Sequence, residues 1–254
     1  MYPPEVRRRA VALVAAGMSR NQAAKTCRVS RAALREWCER GVEPRGRSAK
    51  AACPRCSPEQ ELAELPYSHL LGWYLGDGCL SAARKGVYVL RIVSDNRYPA
   101  LLDEIQELMG RCHPGSRTFR TSHPGCTEIT NAWTHWRCLF PQFGPGRKHT
   151  RPILLAPWQR EIVERHPREF VRGLLHSDGC RVTNRVRRPN LSDGYCCYAY
   201  PRYFFTNVSD DIRGLFCWAL DLLDIPWRQS NTRIISVARR EAVAALDEFV
   251  GPKS

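Results

Sequence analysis

The sequence predicts an α+β protein in which a short all-helical segment is joined to a larger domain built from one αββαββα unit used twice. Three observations predict it. Residues 5–41 repeat apolar positions at helical spacing between caps and stops. From residue 66 onward an apolar motif ending in Asp-Gly occurs twice. Each copy is followed by runs rich in β-branched and aromatic residues. At 254 residues the chain is long enough to bury a substantial core, as one large domain or as one medium and one small domain.

The first segment reads as three helices. Val6, Ala10, Leu13 and Val14 recur at helical spacing after Pro3-Pro4, and Gly17 supplies the stop. Ser19 caps a second helix running through Cys27, with Gln22 in capping-box position and Ala23 and Ala24 small enough for close packing. Arg28-Val29 is a tight turn. Ser30 then caps a third helix that turns Ala33, Leu34 and Trp37 inward and leaves Arg31, Arg35 and Glu39 outward. Two helices across so short a turn, the second opening on a polar cap and arginines, have the layout of a helix-turn-helix whose second helix enters the major groove. Ser30, Arg31 and Arg35 are its expected DNA contacts; the competing reading is a small bundle with a solvated basic face. The stretch Gly17-Met18-Ser19 through Trp37 resembles the helix-turn-helix of transposases and resolvases. The domain is expected over 1–44, followed by a Pro-, Gly- and Ser-rich linker over 45–65 and a duplicated domain over 66–254, with halves of about 66–146 and 147–254.

The duplication is direct. Leu70-Leu71-Gly72-Trp73-Tyr74-Leu75-Gly76-Asp77-Gly78-Cys79 is echoed by Val171-Arg172-Gly173-Leu174-Leu175-His176-Ser177-Asp178-Gly179-Cys180, displaced by 101 residues. Val93-Ser94-Asp95 is echoed by Val208-Ser209-Asp210, displaced by 115, so an insertion of 14 residues is expected between Asp178 and Ser209, as a basic loop over 184–194. Ile129 through Gly144 resembles Ile235 through Gly251 and closes each half. Strands are predicted over 87–93 and 198–206 and helices over 99–109 and 209–224, the last with Ile212, Leu215, Phe216, Ala219, Leu222 and Leu223 on its core face.

A mid-helix glycine costs about 1 kcal/mol relative to alanine, so Gly72 and Gly173 require a reason, and two helices in close backbone approach across a pseudo-two-fold axis supply it. That packing brings Asp77 and Asp178 together at helix C-termini, where dipole and mutual repulsion disfavour two negative charges. A divalent cation, Mg2+ above all, would reverse the penalty and could activate water for phosphodiester cleavage. Gly78 and Gly179 are read as C′ residues that turn the chain out of each helix. A single Asp-Gly would be an ordinary turn; two at the start of matching units point to a site.

Residues 70–78 and 171–179 resemble the two motifs of single-chain LAGLIDADG homing endonucleases, and Lys148–Pro152 resembles the lead-in to the second. The resemblance spans roughly 66–251. It implies a saddle of two antiparallel sheets in the major groove, with Asp77 and Asp178 as metal ligands and catalytic residues. It further implies DNA contacts from Arg84, Lys85, Arg91, Arg181, Arg185, Arg187 and Arg202. The motif's earlier acidic position is Leu75 in one copy and His176 in the other, which leaves activity open. The family's supporting basic residue has no motif position here; Lys148 and Arg239 are candidates, each read as a surface charge.

Lys plus Arg number 39 against 25 Asp plus Glu, a net charge of +14 that attracts a polyanion; double-stranded DNA is the leading partner, ahead of an anionic membrane surface. With no apolar run near the roughly 20 residues of a membrane span and no secretory leader, a soluble, cytoplasmic, nucleoid-associated protein is expected. Its internal two-fold makes a monomer sufficient. Among 12 cysteines, most read as small buried residues, but Cys53-Pro54-Arg55-Cys56 has the spacing of half a zinc site. Cys126, His135 or Cys138 could complete it, and the spacing selects none of them; a plain linker is the favoured reading. Three functions are weighed: a Mg2+-dependent site-specific endonuclease, favoured by both acidic residues; a non-cleaving transcriptional regulator of bacterial type, favoured by the helix-turn-helix; and an intein remnant, disfavoured by the N-terminal helices and the absence of a splicing nucleophile at Met1.

Overall fold

A computed structural model describes residues 2–40, 53–57, 60–189 and 195–253, with the backbone alone at 4, 40, 186–189 and 195–198. The chain forms two compact units, Met1–Ala52 and Cys53–Ser254.

In the first unit α1 (Pro4–Ala15), α2 (Arg20–Thr26) and α3 (Arg31–Arg40) enclose a small core. Ala10, Ala23, Ala24, Leu34 and Trp37 are buried in it, the alanines letting the three short helices approach closely. Gly17, at φ 92°, ends the first helix in the left-handed region. The Ser19 hydroxyl accepts from Gln22 N–H at 3.3 Å and donates to Gln22 Oε1 at 2.9 Å, and Ser30 Oγ accepts from Ala33 N–H at 3.1 Å. Tyr2 braces the start of α3: its hydroxyl accepts from Ser30 N–H at 3.0 Å and its ring meets Trp37 edge-on at 5.5 Å. Arg31 and Arg35 are exposed.

The second unit opens with α4 (Glu64–Leu75), β1 (Gly78–Ala82), β2 (Tyr88–Asp95), α5 (Pro99–Cys112), β3 (Thr118–His123), β4 (Cys126–Trp133) and α6 (Trp136–Leu139). A connecting helix, α7 (Pro157–Arg165), leads into the second copy. That copy comprises α8 (Pro167–Asp178), β5 (Gly179–Pro189), β6 (Tyr195–Thr206), α9 (Asp210–Asp221), β7 (Arg228–Asn231), β8 (Ile234–Val237) and α10 (Arg240–Val250). Each half forms a four-stranded antiparallel sheet, ordered β1-β2-β4-β3 and β5-β6-β8-β7. The duplication holds at the level of register: Gly78–Ile92–Ile129 is one rung of the first sheet and Gly179–Phe205–Ile235 the matching rung of the second.

Alternation along the strands buries one face of each sheet, Leu80, Leu90, Ile92 and Ile129 in the first and Tyr203, Phe205, Ile235 and Val237 in the second. α4 is buried from Pro66 to Leu75, and α8 packs against it. Three expectations are corrected. The inserted segment lengthens a hairpin: β5 and β6 run 11 and 12 residues against 5 and 8 for β1 and β2, so 184–189 is strand and only 190–194 falls outside the described residues. α9 stops at Asp221, which leaves Leu222 40% exposed and hands its core position to Leu220. Gly78 and Gly179 are strand residues with negative φ. Their missing side chains matter because a Cβ would meet Tyr74 Cα at 2.5 Å or Leu175 Cδ2 at 2.6 Å, in the preceding helical turn. No helix among the described residues is long and apolar enough to cross a membrane.

Candidate metal and nucleic-acid site

The site is set by how closely α4 and α8 approach. A Cβ on Gly72 would lie 2.5 Å from Phe170 O and one on Gly173 2.3 Å from His69 O, distances that only bare backbone tolerates. At the helix ends the approach continues, since a Cβ on Gly76 would collide with Ser177 Oγ and sit 3.2 Å from Asp178 Oδ2. Asp77, two residues beyond the end of α4, and Asp178, the last residue of α8, are thereby brought within reach of each other's charge. Asp77 keeps one face open to solvent while protein surrounds its other sides, and Asp178 is half-buried.

Burial, with the charge of Asp178 behind it, pushes Asp77 up to about 6, against the pull of Lys148 and Lys253. Burial raises Asp178 as well, opposed first by a 2.6 Å hydrogen bond from Asn207 Nδ2 to Oδ2. That bond favours the ionised form of Asp178, so the pair's last proton resides on Asp77.

Two lysines complete the centre symmetrically. Lys148 Nζ donates to the carbonyls of Tyr74, Leu75 (3.0 Å) and Gly76 (2.8 Å), and Lys253 Nζ to those of Ser177 (3.4 Å) and Gly179 (2.5 Å). Each ammonium neutralises the negative end of one helix of the pair. Burial pulls Lys148 down to about 8, against the raising effect of Asp178 and Asp77. Lys148 is therefore a site residue, correcting its reading as a surface charge. Its counterpart is Lys253, which sequence reasoning missed, whereas Arg239 is exposed at the start of α10. The signal was present: both lysines follow a Gly-Pro that closes a half, Gly144-Pro145 and Gly251-Pro252. An open depression of about 220 Å³, lined by Leu75, Gly76, Lys148, Asp178, Thr206 and Asn207, gives access.

The arginines divide by sheet face. Arg91 lies on the outer face of the first sheet, donating to Ser81 Oγ and 3.6 Å from Glu128. Arg202 takes the corresponding face of the second, donating to Ser236 Oγ at 2.5 Å with its guanidinium 4.4 Å from the Phe204 ring. Arg84 and Lys85 are exposed in the β1–β2 turn, where Lys85 adopts φ 60°. Arg181 instead holds Asp247 of α10 with two 2.8 Å bonds, on the helix-facing side of β5 that Arg185 shares by alternation. The side chain of Arg187 lies outside the described residues. Arg228, on β7 in the rung of Ser236, is an exposed basic residue that the sequence reading did not single out.

Behind the carboxylates, His176 occupies the motif's departing position for a structural reason. Its Nδ1 lies 3.1 Å from Glu104 Oε1 and its Nε2 2.7 Å from Val250 O. Glu104 also binds Arg172 and makes a close charge contact, 3.2 Å, with His69 Nε2, whose Nδ1 is 3.3 Å from Glu169. Burial alone would neutralise His69, but the two carboxylates outweigh it and raise its pKa. Burial likewise opposes ionisation of Glu104, yet the hydrogen bond with His176 and the close charge of His69 hold it well below the usual carboxylate range. The stabilisation from His69 is complete below its ordinary 6.5 and is lost as pH rises through its raised value. That from Glu104 is present above 4.5 and lost as pH falls through its lowered value. Glu104→Gln is therefore expected to cost about 3–5 kcal/mol, most fully between these two pH values, by leaving buried cations unpaired. Urea unfolding of both proteins at pH 5.5 and pH 9 checks this, and an equal loss at both would contradict it.

Of the cysteines, Cys53 and Cys56 converge with His135 and Cys138, their ligand atoms all within 4.8 Å of one another; Cys126 is not in the group. The plain-linker reading of 53–56 is thus replaced by a four-residue cluster.

No family model matches the sequence, and no curated protein matches it. Similar solved structures include the LAGLIDADG meganuclease I-AabMI bound to uncleaved DNA, with TM-score 0.45 and 13% identity over 72% of this chain and 82% of that one. Others are the homing endonuclease I-DmoI in complex with DNA and Ca (0.46, 13%, 76% and 92%) and the N-terminal LAGLIDADG domain of DUF199/WhiA (0.44, 15%, 74% and 83%). The fold itself, two αββαββα halves with matching sheet order and register, stands on this chain's own geometry.

Proposed function

We propose that the chain is a sequence-specific double-stranded DNA-binding protein whose duplicated unit cleaves its target with a divalent cation, Mg2+, held between Asp77 and Asp178. The observation that carries this is the pair of carboxylates forced together at the ends of α4 and α8. Burial raises both, the charge of Asp178 adds to the rise at Asp77, and no Lys or Arg nitrogen among the described residues lies within ion-pair distance of either. Hard oxygen donors with one face open to solvent suit such an ion. When bound, it supplies positive charge for the phosphodiester and acidifies an attacking water.

The remaining roles belong to the chain. Asn207 orients Asp178. Lys148 and Lys253 cancel the helix-end dipoles that would otherwise disfavour both the carboxylates and an approaching phosphate. Arg91, Arg202, Arg84, Lys85 and Arg228 supply phosphate and base contacts from the sheets' outer faces and one turn; Ser30, Arg31 and Arg35 do so from α3. Arg181, committed to Asp247, drops out of the contact set. The pseudo-two-fold makes a monomer sufficient, and a DNA ligand places the protein at the nucleoid.

A second reading, a regulator that binds without cutting, is supported by the same lysines: with two ammonium groups beside the carboxylates, a cation is not compulsory. The experiment that separates the two incubates the protein with a random-sequence plasmid library, with and without Mg2+, and sequences both cut ends and retained fragments. Cuts that require Mg2+ establish the nuclease; retained, uncut fragments establish the regulator; neither result removes DNA recognition altogether.

A further inference from the structure

Cys53 and Cys56 stand at the N-terminal edge of the second unit, ahead of α4. Cys56 N–H and Ser57 N–H both donate to Cys53 O, at 2.9 and 2.8 Å, a tight turn that sets the two thiols on one side. The opposing pair comes from the corner after β4: His135 precedes α6, and Cys138 N–H donates to His135 O at 2.9 Å, so one helical turn presents the imidazole and the thiol together. Cys56 Sγ lies 3.5 Å from Cys138 Sγ and 3.7 Å from His135 Nδ1, and Cys138 Sγ lies 3.7 Å from the same Nδ1. A tetrahedral zinc with Zn–S of about 2.3 Å and Zn–N of about 2.0–2.1 Å has S···S edges of about 3.8 Å and S···N edges of about 3.6 Å. The observed edges have that size, and all four ligand atoms fit inside 4.8 Å.

We propose that Cys53, Cys56, His135 and Cys138 form a structural zinc site that fastens the start of the second unit to the β4–α6 corner. Three thiolates and an imidazole are soft donors that select zinc over magnesium or calcium, and four protein ligands close the coordination shell, as structural sites do. The neighbourhood is built to hold this turn: Cys53 is 2% exposed, and the Arg55 guanidinium, between the two cysteines, lies 4.4 Å from the Trp158 ring of α7. The clasp supplies what the sequence around it lacks, since residues 53–57 and 60–63 contain no helix or strand of their own. The site is independent of the carboxylate centre and of the reading given to it.

The test is elemental analysis of the full chain, purified without a metal-affinity step and dialysed against EDTA, beside C56S, C138S and C126S. One zinc per chain is expected in the parent and in C126S, with loss of most of it in C56S and C138S. Because the variants could fail to fold, cobalt is added in parallel to the metal-stripped parent. Tetrahedral thiolate coordination gives intense visible bands and a near-ultraviolet sulfur-to-cobalt band, displaced by one equivalent of zinc. Zinc-free parent protein whose thiols react freely with a thiol reagent and which gives no tetrahedral cobalt spectrum would overturn the proposal, as would a Cys56–Cys138 disulfide in the purified protein.

Discussion

Asparagine at Asp77, at Asp178 or at both is expected to reduce Mg2+-dependent cutting by on the order of a thousandfold or more while leaving DNA affinity within a few-fold of the parent. Several kcal/mol of charge stabilisation pass through a metal held by carboxylates, and each 1.36 kcal/mol is tenfold in rate. Neither carboxylate lies on a strand of either sheet, so contacts made by the sheets' outer faces do not depend on them. A second readout follows from the electrostatics. Asp77 is raised to about 6 from 3.8, so its ionised form is disfavoured in the folded protein; the penalty is full above about 6 and vanishes below 3.8. Asp77→Asn therefore melts higher than the parent at pH 7–8, with the gap closing toward pH 4. A variant that stops cutting and melts lower at neutral pH would mean that Asp77 is a structural residue.

Gly173→Ala is expected to destabilise the second unit by about 3 kcal/mol or more, a fall in Tm of ~10 °C for a unit of this size. The added carbon would stand 2.3 Å from His69 O and 2.9 Å from Trp73 N, both backbone atoms of α4, so no side chain can rotate away and the helices must separate. Gly72→Ala meets the reciprocal obstacle at Phe170 O, 2.5 Å away. Gly214→Ala on α9 is the control: a Cβ there meets nothing within 4 Å, so the helix gains about 0.5–1 kcal/mol. Circular dichroism melts of the three variants decide it, and a Gly173→Ala protein as stable as the Gly214→Ala protein would refute close packing of α4 on α8.

What the sequence disclosed is what repeats locally. The two Asp-Gly motifs, the glycine inside each helix and the strand runs each lie within a dozen residues, so periodicity and displacement expose them, and the structure returns the same elements with the same ladder rungs. What it concealed depends on residues far apart in the chain. Glu104 meets His69, Arg172 and His176 from a third helix, and no spacing announces that a histidine in the motif has a buried carboxylate waiting for it. Lys253 reaches the Gly179 carbonyl beside the carboxylates from beyond α10, and Asn207 reaches Asp178 from a strand exit. The Cys/His cluster was half visible, because one turn holds Cys53 and Cys56 while the residues that complete it depend on how β4 delivers α6. The hairpin of β5 and β6 was misjudged for a different reason: a run of arginines, asparagine and proline reads as loop, yet pairing along a long partner strand keeps it extended.

Recognition of DNA by the outer faces of the two sheets is put to the test by selecting bound fragments from a random double-stranded library at about 150 mM salt. The parent is run beside an Arg91→Glu/Arg202→Glu variant whose melting temperature is shown to match it. The parent is expected to enrich a long site and the variant to lose its preferences across that site. An identical motif from both proteins, or retention by the parent without sequence preference, would contradict it.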